Sequence, residues 1–174
     1  MFTRRDLVRL IIPLIIEQVL AATVGIADTF MVSSVGEAAV SGVSLVDSIN
    51  LLLLNVFAAL STGGSIVASQ YLGREDQPSA NAAAKQLLTV TTLVSFGLVA
   101  VCMPGSKFIL HALFGSADAA VMGNAEVYFL LSALSYPFMA VYNACAALFR
   151  AQGNSKISMM AALVMNIVNI SFNA

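Results

Sequence analysis

Tryptophan is absent from this 174-residue chain, histidine occurs once, cysteine twice, and charged residues make up only 10%. Ordinary globular domains carry about a quarter charged residues. That scarcity, with 59% hydrophobic residues and a mean hydropathy of +0.90, describes an integral membrane protein and excludes a water-soluble domain. One histidine, His111, falls short of the clustered histidines and acids an intramembrane metalloprotease needs. Cys102 and Cys145 stand singly in apolar stretches, without the spacing of a disulfide framework or a metal site. A net charge of −1 and the lack of any basic run leave no phosphate-tracking surface, so nucleic acid is not expected as a partner.

Long apolar runs, by contrast, are plentiful. The first, residues 7–35, reads LVRLIIPLIIEQVLAATVGIADTFMVSSV and contains two acids, Glu17 and Asp28. A carboxylate near the bilayer centre costs about 2.5–3.5 kcal/mol on insertion scales and marks a functional position by default. Eleven helical residues return Asp28 to within about 20° of Glu17, roughly 16 Å along the axis. Ala21, Val24 and Gly25 lie on the same side. One helix face is therefore expected to look onto protein or a water-filled path instead of lipid. The two acids are too far apart for an aspartyl-type catalytic dyad, so no enzyme is expected. The basic start and apolar middle of residues 1–22 imitate a signal peptide, but Glu17 interrupts the apolar core and the helix runs on, so a retained span is expected.

The remaining runs complete an all-α integral membrane bundle, with expected spans at 7–35, 48–72, 86–106, 127–149 and 157–174, four complete and the fifth truncated. The second carries no formal charge; Asn55, near mid-depth, is a cavity candidate. Pro104–Gly105 is expected to close the third, and residues 106–126 to form the longest connection, with Phe108 and Phe114 in the interface. There the lone His111 reads as solvated. Asp118 is placed to cap the next helix. In the fourth span Tyr136 and Asn143 are further cavity candidates, and Pro137 is expected to kink it. The fifth is rich in amides: Asn166, Asn169 and Asn173. Arg4, Arg5, Arg9, Arg74, Lys85, Arg150 and Lys156 fall on one side of this arrangement and only Lys107 on the other, which places the N-terminus in the cytoplasm.

Three segments, IADTFMVSSVGEAAVSGVSL, GGSIVASQYLGRED and ALFRAQGNSKISMMAALVMNIVNISFNA, resemble in order and spacing parts of the multidrug and toxic compound extrusion (MATE) transporters. The resemblance implies a six-helix lobe, here without its sixth helix, of a twelve-helix protein whose two lobes rock about a central cavity. It implies a secondary active antiporter in a bacterial inner membrane, exporting organic, often cationic compounds in exchange for sodium ions or protons. No cofactor is implied beyond that coupling ion. The expected partners are an organic small-molecule substrate, membrane lipid and the second lobe; alone, the chain is expected to be inactive.

Asp28 matches the family's first-helix acid, the ion- or proton-responsive group, beside which a sodium ion would sit. Asn169 and Asn173 match an asparagine and an aspartate four apart on the fifth helix. That spacing keeps both on one face, but the amide of Asn173 supplies an oxygen without a charge. Glu17 joins this ion-coupling set only through the face it shares with Asp28. A lipid-linked saccharide flippase of related architecture is the nearest rival; its pyrophosphate calls for basic residues deep in the spans, where the sequence shows none. A non-transporting membrane scaffold is the rival of another class, and two buried acids argue against it.

Overall fold

In a computed structural model, the backbone is described for residues 4–34 and 36–173, and side chains for all of these except 5, 6, 9, 27–29, 170, 172 and 173. Among the described residues five helices follow one another: α1 (Arg4–Ser33), α2 (Glu37–Gly73), α3 (Gln77–Phe114), α4 (Ala119–Ala151) and α5 (Ser155–Asn173). The connections are so short that successive helices run antiparallel. No strand occurs among the described residues. Four segments, Leu10–Ser33, Glu37–Gly73, Gln77–Phe114 and Ala119–Ala151, are long and apolar enough to cross a bilayer. The apolar part of α5, Ser155–Asn169, is shorter.

α2, α3 and α4 outrun the expected spans at both ends. The 37 residues of α2 extend about 55 Å, whereas a hydrocarbon core is only about 30 Å thick. Hydropathy marks the bilayer crossing, and the helix continues past it. Thus most of the connection expected at 106–126 is helical: α3 passes through Pro104 and ends at Phe114, and α4 begins at Ala119. Pro104 does not close its helix, because a bundle can absorb the one carbonyl a proline releases. Pro13 and Pro137 likewise lie inside continuous helices.

Local chemistry sets the turns. Asp118 accepts from the Ala120 backbone N–H at 3.0 Å, the cap its position suggested. Asp76 caps α3 by accepting from the Ser79 N–H at 3.2 Å, with a proline in the first helical turn. Two helices close with the same double bond. After α2, Asp76 N–H donates to Tyr71 C=O and Glu75 N–H to Leu72 C=O, each at 3.0 Å. After α4, Asn154 donates to Phe149 and Gly153 to Arg150, each at 2.9 Å. This motif turns its central residue left-handed. Gly153 does so at φ 76°, and Glu75, unusually for a side-chain-bearing residue, at φ 60°.

α2, α3 and α4 pack against one another as a three-helix body. The seam on α4 is Ala125, Phe129, Ala133, Tyr136, Ala140 and Ala144, all buried. Alanines at helical spacing let neighbouring backbones approach, the main source of helix association where lipid removes the hydrophobic drive. Val46 and Phe57 of α2 and Leu110 of α3 fill the spaces between. α2 and α4 cross closely at Gly42, where a Cβ would stand 2.9 Å from the Val121 carbonyl oxygen and 3.0 Å from the Ala125 nitrogen. α1 is set apart: it packs chiefly on α5 and only lightly on α2, and α5 in turn touches α4.

Candidate functional site

The α1–α5 pairing lays the helix that carries Asp28 along the helix that carries Asn169 and Asn173. The side chains of Asp28 and Asn173 lie outside the described residues. Asn169 is half-buried. A shallow groove of about 400 Å³ runs along α1 beside this region, lined by Ala22, Gly25, Ile26, Phe30 and Ser33.

Glu17 is buried, with 8% of its surface exposed. The face it shares with Asp28 put it in the expected ion-coupling set, and here it meets a base. Arg150, in the last turn of α4, brings Nη1 to 3.3 Å from Glu17 Oε1. Its long side chain carries a cation from the helix end to the middle of α1. Glu17 Oε2 is buried without a well-aligned hydrogen-bond partner among the described residues, and the Tyr142 phenol lies beside the same carboxylate. Glu17 thus belongs to an ion pair between α1 and α4, with its charge already met.

The three cavity candidates part company. Asn55 is exposed on α2. Asn143 is half-buried and donates to the Met139 carbonyl one turn back at 2.9 Å. Tyr136 lines no open surface: it is 2% exposed, meets Phe57 edge-on with ring centroids 6.4 Å apart, and donates its hydroxyl to Asn50 Oδ1 at 2.8 Å. Its ring serves the α2–α4 core.

That last bond opens a cluster the sequence reading missed. Asn50 Nδ2 faces Ser132 Oγ at 3.3 Å and Asp47 Oδ1 at 3.5 Å. The Tyr128 hydroxyl donates to the same Asp47 oxygen at 3.1 Å. Asp47 and Asn50 are three apart on α2, and Tyr128, Ser132 and Tyr136 are four apart on α4. Both spacings are visible in the sequence, but Asp47 falls one residue before the expected second span and so outside the expected intramembrane acids.

The MatE family model matches residues 13–174. The chain belongs to the MatE family. It is 29% identical over 162 residues to the uncharacterized transporter YisQ of Bacillus subtilis, a match covering 92% of this chain and 35% of that protein. It is 23% identical over 170 residues to the probable multidrug resistance protein NorM of Thermotoga maritima, covering 96% of this chain and 36% of that one. The fold is similar to that of a MOP superfamily transporter from Pyrococcus furiosus, with a TM-score of 0.90 and 20% identity over 97% of this chain and 37% of that one. The chain therefore spans about a third of the length of the relatives it matches. It is a multi-pass membrane protein of the MATE fold.

Proposed function

We infer that this MatE chain is one lobe's worth of a secondary antiporter that exports organic, often cationic compounds in exchange for sodium ions or protons. A second lobe completes the cavity, and the N-terminus lies in the cytoplasm of a bacterial inner membrane. The observation that carries the reading is the packing of α1 on α5 within the family match, which sets the Asp28 helix along the amide-bearing helix.

An acid in a low-dielectric site resists carrying an uncompensated charge. A proton, a sodium ion or a cationic substrate each relieves it, and competition for one carboxylate is a sufficient basis for exchange. Asp28 holds the exchangeable charge, and Asn169 and Asn173 add neutral oxygens. Occupancy that differs between two lobe arrangements biases the equilibrium between them. Glu17, already paired, positions α1 against α4.

The flippase reading calls for unpaired bases deep in the spans, and Arg150, which reaches inward, is paired with Glu17. In the whole-length transporter carrying this lobe, Asp28→Asn is expected to abolish ion-driven efflux of a fluorescent organic cation from membrane vesicles while leaving protein levels unchanged. Undiminished efflux overturns the assignment.

A further inference from the structure

We propose that Asp47, with Tyr128 and Asn50, forms a binding subsite for an organic monocation at the α2–α4 seam. The proposal deepens the exporter reading and rests on it. Asp47 lies ten residues into α2 and Tyr128 nine into α4, so each is about 14–15 Å from its helix start. Both starts are at the end of the bundle opposite Arg4, because successive helices alternate in direction.

Asp47 is exposed, and so are Leu51, Ala58 and Thr62, which continue the same side of α2. A carboxylate at this depth is costly against lipid. Its bonds to Tyr128 and Asn50 instead hold it along the α2–α4 seam. Both bonds end on Oδ1, which leaves Oδ2 to a ligand among the described residues.

The chemistry of the surroundings selects the ligand. Hard metal ions collect about six oxygens. Here Asn50 Oδ1 already accepts from Tyr136, and Asn50 Nδ2 is turned toward Asp47 and Ser132. A bare metal ion would find the carboxylate and one phenol oxygen. A large, weakly hydrated cation needs only the negative charge and an aromatic or apolar wall. The half-buried Tyr128 ring and the exposed Leu51 supply that wall.

The test is equilibrium binding of tetraphenylphosphonium to the whole-length transporter carrying this lobe, in lipid nanodiscs. Asp47→Asn is expected to weaken binding at least about tenfold, the loss of one charge contact of ordinary strength. Tyr128→Phe, which removes the hydroxyl that orients the carboxylate, is expected to weaken it by about threefold. Asp47→Glu keeps the charge and is expected to stay within about threefold of the parent. Equal affinity in the parent transporter and in Asp47→Asn overturns the subsite, and so does a parent transporter that binds no probe. Equal losses in Asp47→Glu and Asp47→Asn overturn it as well, since charge would then not be the determinant. If Asp28→Asn abolishes binding while Asp47→Asn does not, the exporter reading stands and this inference falls.

Discussion

Arg150 Nη1 stands 3.3 Å from Glu17 Oε1 and ties the last turn of α4 to the middle of α1, across 133 residues of sequence. α1 otherwise leans on α5 and barely on α2, so this pair joins the Asp28 helix to the three-helix body. Removing one partner of a buried ion pair leaves an uncompensated charge, at a cost of about 3–5 kcal/mol in a dry interior. A third of the Arg150 side chain is exposed, so screening lowers the expected loss to about 2–3 kcal/mol. Arg150→Ala is expected to destabilise the chain by that amount in a reversible unfolding assay in lipid or detergent. Glu17→Gln combined with Arg150→Gln is expected to lose much less than the sum of the single changes. Additive losses refute a direct pair.

Gly42 supports the α2–α4 seam that holds Asp47 against Tyr128. A Cβ there meets backbone atoms of Val121 and Ala125, which cannot swing away as a side-chain tip can. Gly42→Ala is expected to cost about 1–3 kcal/mol, the usual range for overpacking. Gly63, with nothing within 4 Å of its Cβ position, is the matched control. There the same substitution is expected to be neutral or to stabilise by up to about 1 kcal/mol, since alanine is the better helix former. The difference between the two variants in one unfolding assay checks the crossing.

Much of this architecture was legible in the sequence because the bilayer imposes a coarse rule: apolar runs of spanning length, broken by polar turns. The helix order and the Asp118 cap follow from local chemistry. Two kinds of feature were not legible. Helix ends in the interface carry no hydropathy signal, so Phe108–Phe114 read as a connection although α3 continues through them. Partnerships between distant helices were also hidden: neither the reach of Arg150 to Glu17 nor the meeting of Asp47 with Tyr128 can be read from one helix alone. Tyr136 shows the same limit from the other side. A tyrosine on a polar stripe suits a cavity or a core equally well, and only the position of Asn50 decides.

Glu75 marks a turn built against local preference. Its left-handed φ of 60° closes α2, a conformation that costs a residue with a Cβ roughly 1–2 kcal/mol relative to glycine. Glycine returns part of that gain through its larger unfolded-state entropy. Glu75→Gly is therefore expected to raise stability by about 0.5–1 kcal/mol, read as a higher unfolding midpoint. Glu75→Val, β-branched, is expected to lower it. The two changes moving in the same direction contradicts the turn geometry.

Asp76 supplies the pH dependence that follows from this same turn. The Ser79 side chain and then the Ser79 backbone N–H hydrogen-bond its carboxylate, and Arg74 adds a favourable charge, so its pKa is held below the ordinary carboxylate value. A depressed folded-state pKa means that the unfolded chain binds the proton more readily. The contribution of the cap is therefore fully present above the ordinary carboxylate range, near about pH 4. It is lost as pH falls through the lower folded value. Asp76 is half-buried in a surface turn, so the effect is local: fraying of the first turn of α3 more than global unfolding. Amide exchange at Ser79 and Ala80 is expected to accelerate as pH drops below that range, after correction for intrinsic exchange rates. Asp76→Asn, which keeps a capping oxygen but cannot titrate, is expected to flatten the dependence. A Ser79 amide whose protection is the same on both sides of pH 4 rules out the cap as the titrating element.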